Sequence, residues 1–156
     1  MQYTLIILSI FLIAYMLYAV KDGVPQSLSA TYYRFGWHGW LFQLLMAVLG
    51  FGLLPMWAEL SPDALQFLCF LACGSLVFVG VSPLFKLPFE GKVHTVSAVV
   101  CGVCIVLWQL LMGMWEWLSL SALLCFVGYL CYGKHTWWLE CMLMLSLLGN
   151  LWKLVI

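Results

Sequence analysis

The stretch "FEGKVHTVSAVVCGVCIVLWQLL", Phe89–Leu111, opens with Glu90, Lys92 and His94 and then turns apolar. From Val93 the chain meets no Asp, Glu, Lys or Arg until Glu116. At a rise of about 1.5 Å per residue, a helix of that length crosses the roughly 30 Å hydrocarbon core of a bilayer. His94 and Ser97 are three residues apart and so share one helical face near its entrance.

Reading outward, the rest of the chain repeats this pattern. Of 156 residues, 66% are hydrophobic and only 8% carry Asp, Glu, Lys or Arg. Soluble domains have about a quarter charged residues, so this chain lacks the polar surface to fold alone in water. Net charge is zero and no basic run points to nucleic acid. Apolar runs fall at residues 3–20, 39–57, 64–81, 93–114, 117–132 and 137–156, with short polar joints between them. Strict two-residue alternation is absent, which argues against a membrane barrel. The expectation is an all-α bundle of six transmembrane helices forming one integral membrane domain over 1–156. The first run lacks the basic start and small-residue cleavage site of a signal peptide and reads as a retained helix. In the second joint, "SPDA" reads as a helix start, with Ser61 as the capping residue.

Lys21, Arg34, Lys86, Lys92 and Lys134 lie in the odd-numbered joints. The even ones hold Glu59, Asp63 and Glu116. The positive-inside rule therefore predicts cytoplasmic odd joints, with Lys153 the one contrary basic residue. Tryptophans agree in their placement along the chain. Trp37, Trp40, Trp137 and Trp138 mark one boundary, and Trp57, Trp115, Trp117 and Trp152 the other, as interfacial belts do.

All three histidines, His38, His94 and His135, fall at the expected cytoplasmic ends of helices. Ser27, Ser29, Ser97 and Glu140 fall at the same level. Ionisable groups at membrane depth are costly and tend to face a bundle interior. Together these residues define a candidate polar cleft on the cytoplasmic side. Glu140, about one turn inside the last helix, needs a partner there, and His135, Lys134 or water are the candidates. Two readings follow. One is a binding protein that takes a lipid headgroup or a membrane partner in the cleft, with no cofactor. The alternative is a membrane-embedded metal-dependent lipid hydrolase, in which His38, His94 and His135 hold zinc and activate water. No pair of histidines is spaced four residues apart on one helix; Ser97 and His94 share a face as a serine–histidine arrangement, but i,i+3 neighbours rarely give the in-line geometry of a nucleophile and base. Transport is disfavoured because no span is broken by a central Pro or Gly pair.

The seven cysteines all lie in apolar runs and read as small hydrophobes, Cys101-x-x-Cys104 included. Gln43, Gln66, Gln109 and Asn150 read as interhelical hydrogen-bonding groups.

"GVPQSLSATYY" (23–33) and "PLFKLPFEGKVHTVSA" (83–98) resemble a group of small membrane proteins of gut Bacteroidales and their phages. The pattern covers most of the chain: a helix, Pro-x-Ser-Leu-Ser, a Trp-led second helix, then Glu-Gly-Lys-Val-His. That resemblance implies a bacterial or phage origin and a place in a bacterial inner membrane, and carries no assigned activity. More distantly, Ser27, Ser29 and His94 match the serine motif and helix-opening histidine of the six-helix FRAG/DRAM/Sfk membrane family. The alkaline ceramidase-like hydrolases, with histidines, a serine and an aspartate at a metal site, are a third comparison. This chain lacks their paired histidines on one late helix.

Overall fold

The structure is a computed structural model that describes residues 1–83 and 87–156. Lys86, one of the basic residues of the third joint, lies outside the described residues. The described chain forms α1 (Gln2–Val20), α2 (Thr31–Arg34), α3 (Trp40–Glu59), α4 (Gln66–Val81), α5 (Pro88–Leu111), α6 (Trp115–Tyr132) and α7 (His135–Val155), with no strand. All but the one-turn α2 belong to segments long and apolar enough to cross a membrane. The all-α, six-span bundle is as expected.

Boundaries differ where local chemistry outweighs hydropathy. The fourth span begins at Pro88 rather than Val93, because proline suits the first helical turn and Glu90 sits favourably at the positive helix end. It closes at Leu111, before Gly113 takes the left-handed conformation at φ +70°. His94 therefore lies in the second turn, deeper than the sequence placed it. Gly133, at φ +73°, ends α6 in the same way and turns the chain into α7. Ser61 is not a cap. Its hydroxyl donates to the Trp57 carbonyl at 2.6 Å and accepts the Trp108 indole N–H at 2.8 Å.

Five helices form a closed ring of neighbours in the order α1, α3, α4, α5, α7, while α6 lies outside and packs mainly on α7. Lipid tails are as apolar as leucine, so close packing and polar contacts hold such helices together. Glycine supplies the closeness between α3 and α4. A Cβ on Gly80 would come within 2.7 Å of Met46 Cβ, and one on Gly50 within 3.0 Å of the Cys73 carbonyl. On the outer side, Gly128 of α6 gives room for the Trp138 ring.

Polar contacts tie the helices together toward both ends of the bundle. At one end Trp152 donates to Ser9 at 3.1 Å, and Lys153 pairs with Glu116. At the other, the Trp137 amide reaches the Gln26 carbonyl at 3.1 Å. Near the far end Asn150 donates to Gln109 at 2.7 Å, and Gln109 to Ser146 at 3.2 Å, tying α5 to α7. Gln109 and Asn150 thus bond between helices as expected. Gln66 instead bonds locally to Asp63, and the Gln43 side chain makes no hydrogen bond among the described residues. The expected tryptophan belts are corrected in two places. Trp57 and Trp137 are buried in the core, whereas Trp37, Trp40, Trp115 and Trp117 are exposed. All seven cysteines are free, and Cys101 and Cys104 are buried among packed helices.

Candidate functional site

The site is built by the α1–α3 connection, residues 21–39, which folds into the end of the ring. Proline at position 25 and the Ser-Leu-Ser run favour extended and turn backbone over helix, and here part of that backbone is buried. Pro25, Leu28, Ser29 and Thr31 are all buried.

Buried backbone needs partners, and the peptide groups of Leu28 are held from both sides. Tyr15 of α1 bonds the Thr31 hydroxyl, which donates to the Leu28 carbonyl. The Leu28 N–H donates to Glu140 Oε2 of α7 at 2.6 Å. Ser27 Oγ accepts the Ala30 N–H at 3.0 Å and lies 3.1 Å from Ser29 Oγ. The segment is thereby strapped across the bundle between its first and last helices.

The strap has a different environment on each side. Inside, a cavity of about 70 Å³ in the ring is lined by Leu28, Ser29 and Glu140 together with apolar side chains of α3, α4, α5 and α7. Outside, an open groove of about 560 Å³ is lined by Val24, Pro25, Gln26, Ser27, Ala30, Tyr33, Arg34 and Lys134. The Arg34 guanidinium is braced against the Asp22 and Gly23 carbonyls. Those two bonds use part of its five-donor fork; its other N–H groups and the Lys134 ammonium face no partner among the described residues. Lys134 also precedes α7, so the positive end of a 21-residue helix lies at this groove.

Of the expected cleft residues, Ser27, Ser29 and Glu140 are brought together. His38 and His135 are exposed, and the His135 ring lies edge-on to Tyr129 of α6 at 6.1 Å. His94 is buried, with Nδ1 3.0 Å from the Ser82 carbonyl and its ring beside Phe42. Ser97 is half-buried on the same helix. Among the described residues no three His, Cys, Asp or Glu side chains are placed to hold a metal. His38, His94 and His135 share an end of the bundle without converging. Glu140's partner is the Leu28 amide rather than His135 or Lys134. Backbone donors leave no mark in residue identities. Arg34 and Lys134 were legible as charges, but their joining in one groove depends on how the strap folds.

Comparison with protein-family models, curated proteins and solved structures finds no match to this chain.

Proposed function

We propose that the protein is a multi-pass membrane protein that binds the anionic headgroup of a phospholipid in the groove beside Arg34 and Lys134. The observation carrying this reading is the pair of cations lining one groove, with no carboxylate among the residues that line it. Guanidinium and ammonium groups bind phosphate through charge-assisted hydrogen bonds, and Gln26, Ser27 and Tyr33 add polar groups beside them. Exposed Trp37, Trp40 and Tyr132 sit at the same end of the bundle, where an aromatic belt meets headgroups. The hydrolase alternative draws no support from the histidines, which point to different surroundings, and binding is therefore the better reading.

Each basic residue near an anionic surface contributes about 1 kcal/mol, or about fivefold in affinity. Lys134→Gln and Arg34→Gln are each expected to weaken binding of a short-chain phosphatidylglycerol by about that factor, with Lys153→Gln at the far end neutral. Titration of the detergent-solubilised protein with this lipid and with phosphatidylcholine reads the effect. Equal binding of the two lipids, or an equal loss in Lys153→Gln, would contradict the proposal.

In this reading the groove faces the cytoplasm. Lys21, Arg34, Lys92 and Lys134 lie at its end of the bundle, and Lys153 at the other is paired with Glu116. Reporter fusions are expected to place residues 87–92 inside and 59–63 outside. The opposite pattern would reverse the orientation.

A further inference from the structure

Ser27 lines the outer groove and Ser29 the inner cavity, and their hydroxyls are hydrogen-bonded to each other. A two-hydroxyl link therefore crosses the strap. On the inner side, Glu140 accepts one hydrogen bond, from Leu28, and has no Lys, Arg or His within ion-pair distance among the described residues. An ionised carboxylate in such surroundings costs several kcal/mol unless its charge is balanced locally. A proton or a small cation would balance it. Calcium and magnesium ions take about six or more oxygen ligands, yet among the cavity's lining residues only Ser29 and Glu140 carry side-chain oxygen. The cavity has room for water, with those two groups as its polar partners.

We propose that Glu140 is a proton-binding carboxyl inside the bundle, reached from the outer groove through the Ser27–Ser29 hydroxyl pair. A hydroxyl both donates and accepts. Ser27 and Ser29 would each gain one proton and release one, and cavity water would carry the last to Glu140. The net change is one O–H bond made on the carboxyl and one broken on a hydronium ion in the outer groove, which is left as water. Other titratable groups around the site are Tyr15 of α1, bonded through Thr31, Cys101 of α5 in the cavity wall, and Cys141 of α7 beside Glu140 in sequence. His94 of α5 lies behind Phe42, and α3 and α4 line the cavity with apolar side chains alone.

The probe is dicyclohexylcarbodiimide, an apolar reagent for protonated carboxyls. The acid O–H adds across one C=N bond, its proton going to nitrogen and its oxygen to the central carbon. The 156-residue chain in lipid nanodiscs is expected to take one adduct, mapped to Glu140 by mass spectrometry. It should form faster at lower pH and be indifferent to added NaCl or LiCl. Infrared spectra should show a carboxylic C=O band that shifts in D2O and is missing in Glu140→Gln, which keeps an acceptor for the Leu28 N–H. Ser27→Ala and Ser29→Ala should slow that D2O shift without abolishing the band. Protection by sodium or lithium, labelling independent of pH, or an unmodified Glu140 in wild-type protein would overturn the proton site. An unchanged exchange rate in both serine variants would overturn the path. The labelling arm uses wild-type protein and so stands even if a variant fails to fold.

Discussion

Trp108→Ala is expected to cost about 3–5 kcal/mol, in the range of other buried tryptophan truncations. Trp108 is fully buried, and its ring meets that of Trp57 edge-on at 5.3 Å. Its N–H ties α5 to Ser61 in the α3–α4 turn. Removing the ring opens a void among three helices that cannot all close around it, and an empty space forfeits dispersion contacts on every wall. Trp108→Phe keeps an aromatic edge against Trp57. It also leaves Ser61 bonded to the Trp57 carbonyl, so its loss, one hydrogen bond of about 1 kcal/mol plus a smaller void, should stay well below that of alanine. Unfolding in bicelles or mild detergent measures both. A loss below about 1 kcal/mol for alanine would mean that the α3–α4–α5 junction is not packed as described.

Gln109→Leu is expected to be the most damaging polar change, at about 1–2 kcal/mol, the upper range for membrane hydrogen bonds. Gln109 serves two partners on α7, and both it and Asn150 are wholly buried. Asn150 Oδ1 already has no partner among the described residues. Losing Gln109 leaves the Asn150 amide with nothing. The cost then comes from an orphaned polar group rather than from a missing attraction. Accordingly the double substitution Gln109→Leu with Asn150→Leu should be more stable than Gln109→Leu alone. The same unfolding assay separates the cases, and a double variant less stable than the single would contradict this account.

The spans were legible because a bilayer imposes one demand on every one of them, a long apolar run with its backbone bonded internally. Only the ends resisted, as at Pro88, where proline and Glu90 favour a helix start that hydropathy alone misses. Facing was less legible. Trp57 and Trp137 stand at boundary positions along the chain like the other tryptophans, yet point inward, since a helix with lipid on one side and protein on the other is apolar on both. The site was legible in part. Ser27, Ser29 and Glu140 stood out as polar groups at membrane depth. What joins them is the Leu28 amide, invisible in a list of side chains. The histidines share one end because three helices start there, and the packing then turns them to α6, to Ser82 and to solvent.

The outer groove is expected to select an anionic headgroup over a zwitterionic one. Native mass spectrometry of the protein released from nanodiscs containing equal phosphatidylglycerol and phosphatidylcholine reads that selection without a labelled ligand. One phosphatidylglycerol should be retained by the wild type, lost when Arg34→Gln and Lys134→Gln are combined, and kept in Lys153→Gln. Retention of both lipids in their supplied ratio, or retention unchanged in the combined variant, would contradict it.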